Sequence, residues 1–129
     1  MRFFKEYIII AVILVIIFGI EFWTNNNLNS TFEWIRAEID DIENKISENK
    51  ESEAQEQFHK MHESWKKKND ELAVYMEHTE LEKITEDIVM IESNFESNDM
   101  DKVNENIAEL EFILKHIEEK DKVNIKNIF

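Results

Sequence analysis

The chain has 129 residues, with 29 acidic side chains against 15 basic ones and a net charge of −14 at neutral pH. So acidic a surface repels nucleic acid and anionic lipid headgroups, which excludes both as main partners. Cysteine and proline are absent and the single glycine is Gly19. Disulfides and thiolate metal sites are therefore excluded. Without Gly or Pro after residue 19, tightly turned sheets are disfavoured, and an all-α fold is expected.

The first element is an apolar run, Tyr7 to Ile20, read YIIIAVILVIIFGI. Phe3 and Phe4 precede it, and Phe22 and Trp23 follow. Phe3 to Trp23 is 21 residues, about 31 Å of helix, enough to span a hydrocarbon core. Lys5, Glu6 and Glu21 then fall at the two surfaces, with Trp23 in an interfacial belt. A cleaved signal peptide would need small residues at the cleavage site. The chain instead continues EFWTNNNLNST, so residues 1–23 are expected to be a transmembrane anchor that stays attached and meets lipid through residues 3–23. Arg2 and Lys5 lie on its N-terminal side, and no basic residue follows until Arg36. The positive-inside rule puts the N-terminus in the cytoplasm and residues 24–129 outside.

Residues 24–30 read as a polar spacer containing Asn25, Asn26 and Asn27. Ser30 and Glu33 match a capping box, which predicts a helix start. Residues 31–118 then carry four apolar stripes at 3–4 spacing. The first holds Phe32, Ile35, Ile39, Ile42 and Ile46, and the second Ala54, Phe58, Met61 and Trp65, continuing less regularly to Leu72 and Tyr75. The third holds Leu81, Ile84, Ile88, Ile91 and Phe95, and the fourth Met100, Val103, Ile107, Leu110, Leu114 and Ile117. The tail, residues 119–129, ends Asn127-Ile128-Phe129. It is expected to fold back on the core through Ile125, Ile128 and Phe129, or to serve as a peptide-like ligand for a partner.

The stripes repeat at an offset of 49 residues. Phe32 to Ile46 falls on Leu81 to Phe95, Ala54 to Trp65 on Val103 to Leu114, the Ser30/Glu33 box on Thr79/Glu82, and Asn49 on Asn98. This predicts two helical hairpins, closing as a four-helix bundle or stacking side by side.

The chain resembles domain-of-unknown-function family 4363, small membrane-anchored helical proteins found mainly in spore-forming Gram-positive bacteria. The resemblance rests on the N-terminal anchor, Trp65, the run Glu77-His78-Thr79-Glu80, the run Leu114 to Glu118, and the closing Asn124 to Phe129. It departs where relatives often carry aromatic residues and this chain has Leu72 and Tyr75. The family has no assigned activity. The resemblance implies partnership with a multi-pass membrane protein.

No side chains suggest an activated nucleophile, so no enzyme and no cofactor are expected. His78 and Glu82 lie at i, i+4, with His116 a conceivable third ligand; this is a weak candidate metal site, since a histidine at a helix junction more often bonds nearby backbone or carboxylate. His59 and Glu63 form an ordinary i, i+4 pair, and residues 98–105 lack the ligand order of an EF-hand. Trp34, Val89, Met90, Phe112 and Ile113 fall off the stripes. They form either a second apolar face or the edge of a wider buried arc, with Trp34, Phe112, Ile128 and Phe129 the candidate interface residues. The expectation is a non-enzymatic, extracytoplasmic interaction or accessory subunit that binds another membrane protein or itself. The alternative is a sensory or ligand-binding bundle that takes a metal or small molecule near His78.

Overall fold

The computed structural model describes residues 2–74 and 76–128, and Arg2, Asn25 and residues 121–128 by backbone alone. Four helices follow one another: α1 Arg2–Ser47, α2 Glu51–Leu72, α3 His78–Glu96 and α4 Met100–Ile128. Among the described residues there is no strand, and the fold is all-α. The chain divides into two compact units, Met1–Ser30 and Thr31–Phe129.

In the first unit the apolar side chains from Phe3 to Trp23 are all exposed. This part of α1 is long and apolar enough to cross a membrane. The spacer, expected as a break, is instead helical throughout, and the Ser30/Glu33 capping box is not used. The physical reason is that residues 24–30 contain neither Gly nor Pro, and Asn, Thr and Ser cost only about 0.7 kcal/mol or less each in a helix. The Thr24 hydroxyl donates to the Glu21 carbonyl at 2.9 Å, so it is satisfied within the helix.

The second unit is an up-and-down bundle. On the α1–α2 side, Lys45 and Glu38 hold the Gln57 amide from two positions, and Lys68 lies over the Trp34 ring. On the α2–α3 side, Trp65 donates its indole N–H to Thr85 at 3.0 Å, and Phe58 packs on Phe95 with ring centroids 5.7 Å apart. Lys120 of α4 reaches Glu77 and Glu80 at the start of α3. The ring closes where Arg36 of α1 meets Glu118 of α4 at 2.8 Å. In every pair one helix rises in number as the other falls, so neighbours are antiparallel and α4 returns to α1. The two hairpins form a closed four-helix bundle.

The stripes fill its centre. Phe32, Ile35, Ile39 and Ile42 are wholly buried, as are Ile84, Ile88 and Ile91. Each contributes roughly 1.5–3 kcal/mol before chain entropy is subtracted. Ile46 and Met100 are only half-buried.

The two hairpin turns are the same turn made twice. Asn49 and Asn98 adopt left-handed φ of 62° and 57°. Asn49 N–H bonds the Ile46 carbonyl and Lys50 N–H the Lys45 carbonyl, at 3.1 and 2.8 Å. Asn98 and Asp99 repeat this on Phe95 and Asn94 at 3.1 and 3.0 Å. Both are Schellman closures, with asparagine where glycine is usual. The 49-residue repeat is thus a repeat of backbone geometry as well as of side-chain pattern.

Two further boundaries differ from expectation. α3 begins at His78 after Glu77, with no side-chain cap, so the Thr79/Glu82 box is unused. Helix α4 runs to Ile128, so the expected tail is helical backbone, while the side chains of Ile125 and Ile128, and all of Phe129 and Tyr75, lie outside the described residues. Nothing in residues 119–128 breaks a helix.

Replacing Asn98 by Ala places a Cβ-bearing residue with no local hydrogen-bonding side chain in the left-handed region, which costs about 1 kcal/mol. Asn98→Gly should match or exceed the wild type. Urea unfolding of the full chain in detergent, followed by circular dichroism, checks the order Gly, Asn, Ala; equal stabilities would show that the turn does not limit folding.

Candidate functional site

The candidate ligands His78 and Glu82 lie in the first turns of α3, and His116 lies on α4 beside the start of α3. His78 is the first residue of α3, its side chain 84% exposed, and its Nε2 lies 2.8 Å from Glu82. His116 does not join them. Its ring stacks on Phe112, centroids 6.3 Å apart and planes 10° from parallel. The proposed three-ligand set is therefore an exposed i, i+4 pair and a separate stacked imidazole.

Beside them is an open cleft of about 360 Å³. Phe112, Ile113, His116 and Ile117 supply an apolar wall from α4; Glu77, Thr79, Glu80 and Lys83 line the α3 side. Lys120 Nζ lies 3.1 Å from Glu80 and 3.4 Å from Glu77. Those two carboxylates, Glu80 first, hold its ammonium above the usual lysine range. Phe112 is 69% exposed, and Met90 and Val89 are about half exposed. Met90 is seven residues on from Lys83 and so shares its face of α3. Trp34 is half-buried, with Lys68 Nζ 4.8 Å from its ring centroid. This cation–π contact places Trp34 between α1 and α2. Of the off-stripe residues, Val89, Met90 and Phe112 are bare; Trp34 and Ile113 are partly covered.

Three groupings were not found from sequence. The first joins α2 to α3: His59 Nδ1 contacts one oxygen of Glu92 and His62 Nδ1 the other. Burial pushes the Glu92 carboxyl up, but the two histidine hydrogen bonds outweigh it and hold the group below the carboxylate range. The Glu92 hydrogen bond raises His59. Sequence reasoning paired His59 with Glu63, the nearest acid on its own helix; finding Glu92 needs the register of α2 against α3. The second is an acidic cluster, Asp40 and Glu43 of α1 with Glu111 of α4, oxygens within 4.8 Å of one another. Burial first, and then Glu111, raise the Glu43 carboxyl, which suits a shared proton. The third is Asp87, 4% exposed on α3, whose Oδ2 has no hydrogen-bond partner among the described residues.

A family model described as a domain of unknown function (DUF4363) matches residues 22–128. The chain belongs to the DUF4363 family. No curated protein and no solved structure matches it. The DUF4363 span takes in α2, α3, α4 and the later part of α1, with the cleft, the His59–Glu92–His62 cluster and Asp87 all inside it. The apolar run Tyr7 to Ile20 precedes the span.

Within the DUF4363 bundle Asp87 sets a pH dependence. Burial first, then Glu109 and Glu86, push its carboxyl from 3.8 up to about 6. The folded chain therefore keeps a proton that the unfolded chain has lost between about pH 4 and 6. Stability falls as pH rises through that window, and the full cost, on the order of 2–3 kcal/mol, applies above it. Asp87→Asn should raise the melting temperature at pH 7 and change it little at pH 4. Equal shifts at the two pH values would show that the charge of Asp87 is not the source.

Proposed function

We propose that this chain is a non-enzymatic interaction subunit, held at a membrane by residues 3–23 and presenting its bundle to a second membrane protein. The N-terminus lies in the cytoplasm and residues 24–129 on the outer face, in keeping with the charge asymmetry around the apolar run. The observation that carries the reading is Phe112. A large aromatic side chain is 69% exposed while the bundle core behind it is filled. The half-buried Ile113 stands beside it in the cleft wall, and α3 exposes a further apolar side chain, Met90, at 51%. Apolar surface rimmed by charge is the composition of an interface core, and aromatic residues dominate such cores. The rim sets Glu77 and Glu80 against Lys83 and Lys120, which suits a partner surface of mixed charge.

A second reading has its own observation, the cleft between Phe112, His116, Glu80 and Lys120. A small molecule with an apolar body and a polar end suits that lining. His78 stands at its edge, one residue from Glu77.

Photo-crosslinking of the full-length protein in native membranes tests the first reading. A crosslinker at Phe112 should capture one membrane protein reproducibly. A crosslinker at Trp34, partly covered by Lys68, should capture it weakly or not at all. Capture only of a second copy would make the protein a homo-oligomer. No product at Phe112 would remove the interface, and the cleft reading would stand in its place.

A further inference from the structure

We propose that His59, His62 and Glu92 form a binding site for one divalent transition-metal ion of the zinc class. Two imidazole nitrogens and a carboxylate are a donor set these ions prefer, and a His2Glu set leaves a fourth position open. The spacing is right for a bundle: His59 and His62 stand one turn apart on α2, and Glu92 faces them from α3. Metal sites inside helical bundles are built this way, from ligands three residues apart on one helix and a carboxylate on its neighbour.

Neither helix is free to drift at this point. The Phe58–Phe95 ring contact and the Trp65–Thr85 hydrogen bond hold α2 against α3 on either side. The register of the two helices is thus set before any ion arrives, while the imidazoles rest on separate oxygens of Glu92 and have still to converge. Side-chain exposure is 12% for His62 and 18% for Glu92, against 60% for His59. The site therefore has a sheltered interior and one wet edge, through which an ion can enter and a water can complete its shell. Each nitrogen now holds its own carboxylate oxygen. An ion draws both nitrogens to a single centre by rotation of the two imidazole side chains. As an N–metal bond replaces each contact to the carboxylate, the binding nitrogen carries no proton and the ring keeps its one N–H on Nε2. The net charge of −14 favours approach of a cation.

This site is independent of the interface at Phe112 and of the exposed His78–Glu82 pair. The test uses the full chain in detergent, stripped with a chelator and then freed of it. Titration with Zn²⁺ is followed by calorimetry, and with Co²⁺ by its visible absorption. The expected result is one equivalent bound. Affinity should fall tenfold or more in His62→Gln and in Glu92→Gln, and stay unchanged in His78→Gln. His59→Gln, at the exposed edge, keeps the test valid should His62→Gln lose helicity, and it should also weaken binding. No stoichiometric uptake by the wild type would overturn the proposal. So would undiminished affinity in the double variant His59→Gln, His62→Gln, or loss of binding in His78→Gln alone.

Discussion

Chain reversal without glycine is the constraint on which the bundle depends. Two asparagines, Asn49 and Asn98, take the left-handed conformation that ends a helix and turn the chain back by the same pair of backbone hydrogen bonds. An asparagine tolerates that region better than other side-chain-bearing residues, because its short polar group bonds locally. With both turns built alike, each hairpin folds its two stripes back toward one another. The buried residues come from all four helices and fill one core.

That regularity explains what was legible in the sequence. A stripe such as Ile84, Ile88, Ile91 is readable because its period is the period of a helix, and burial needs nothing else. The repeat at 49 residues was readable for the same reason, and so was the family. Helix ends were less legible. Ser30 with Glu33 and Thr79 with Glu82 have capping chemistry, yet Ser30 sits inside α1 and α3 starts one residue before Thr79. A capping side chain acts only where the backbone already leaves the helix; Thr24 shows how a hydroxyl is satisfied without an end.

Side chains that pair across helices were the least legible. His59 has Glu63 four residues on and Glu92 thirty-three residues on, and only the second is bonded to it. Glu43 and Glu111 meet because α1 closes on α4, a contact that requires the whole ring of helices. Local spacing says nothing of either. Asp87 stands beside Ile88 on the buried side of α3, and its acidity gave no warning of burial. The polar groups that give this surface its chemistry are products of register, whereas the core is a product of period.

The chain also carries three tryptophans in three surroundings. Trp23 flanks the apolar run and is exposed, Trp34 is half-buried under a lysine ammonium, and Trp65 is 1% exposed with its indole bonded to Thr85. Their emission should separate accordingly, Trp65 at the blue end, Trp34 quenched by its charged neighbour, and Trp23 shifting with the polarity of the medium around it. The molecule thus contains its own optical reporters, one for the surroundings of the apolar run, one for the α1–α2 seam and one for the integrity of the core.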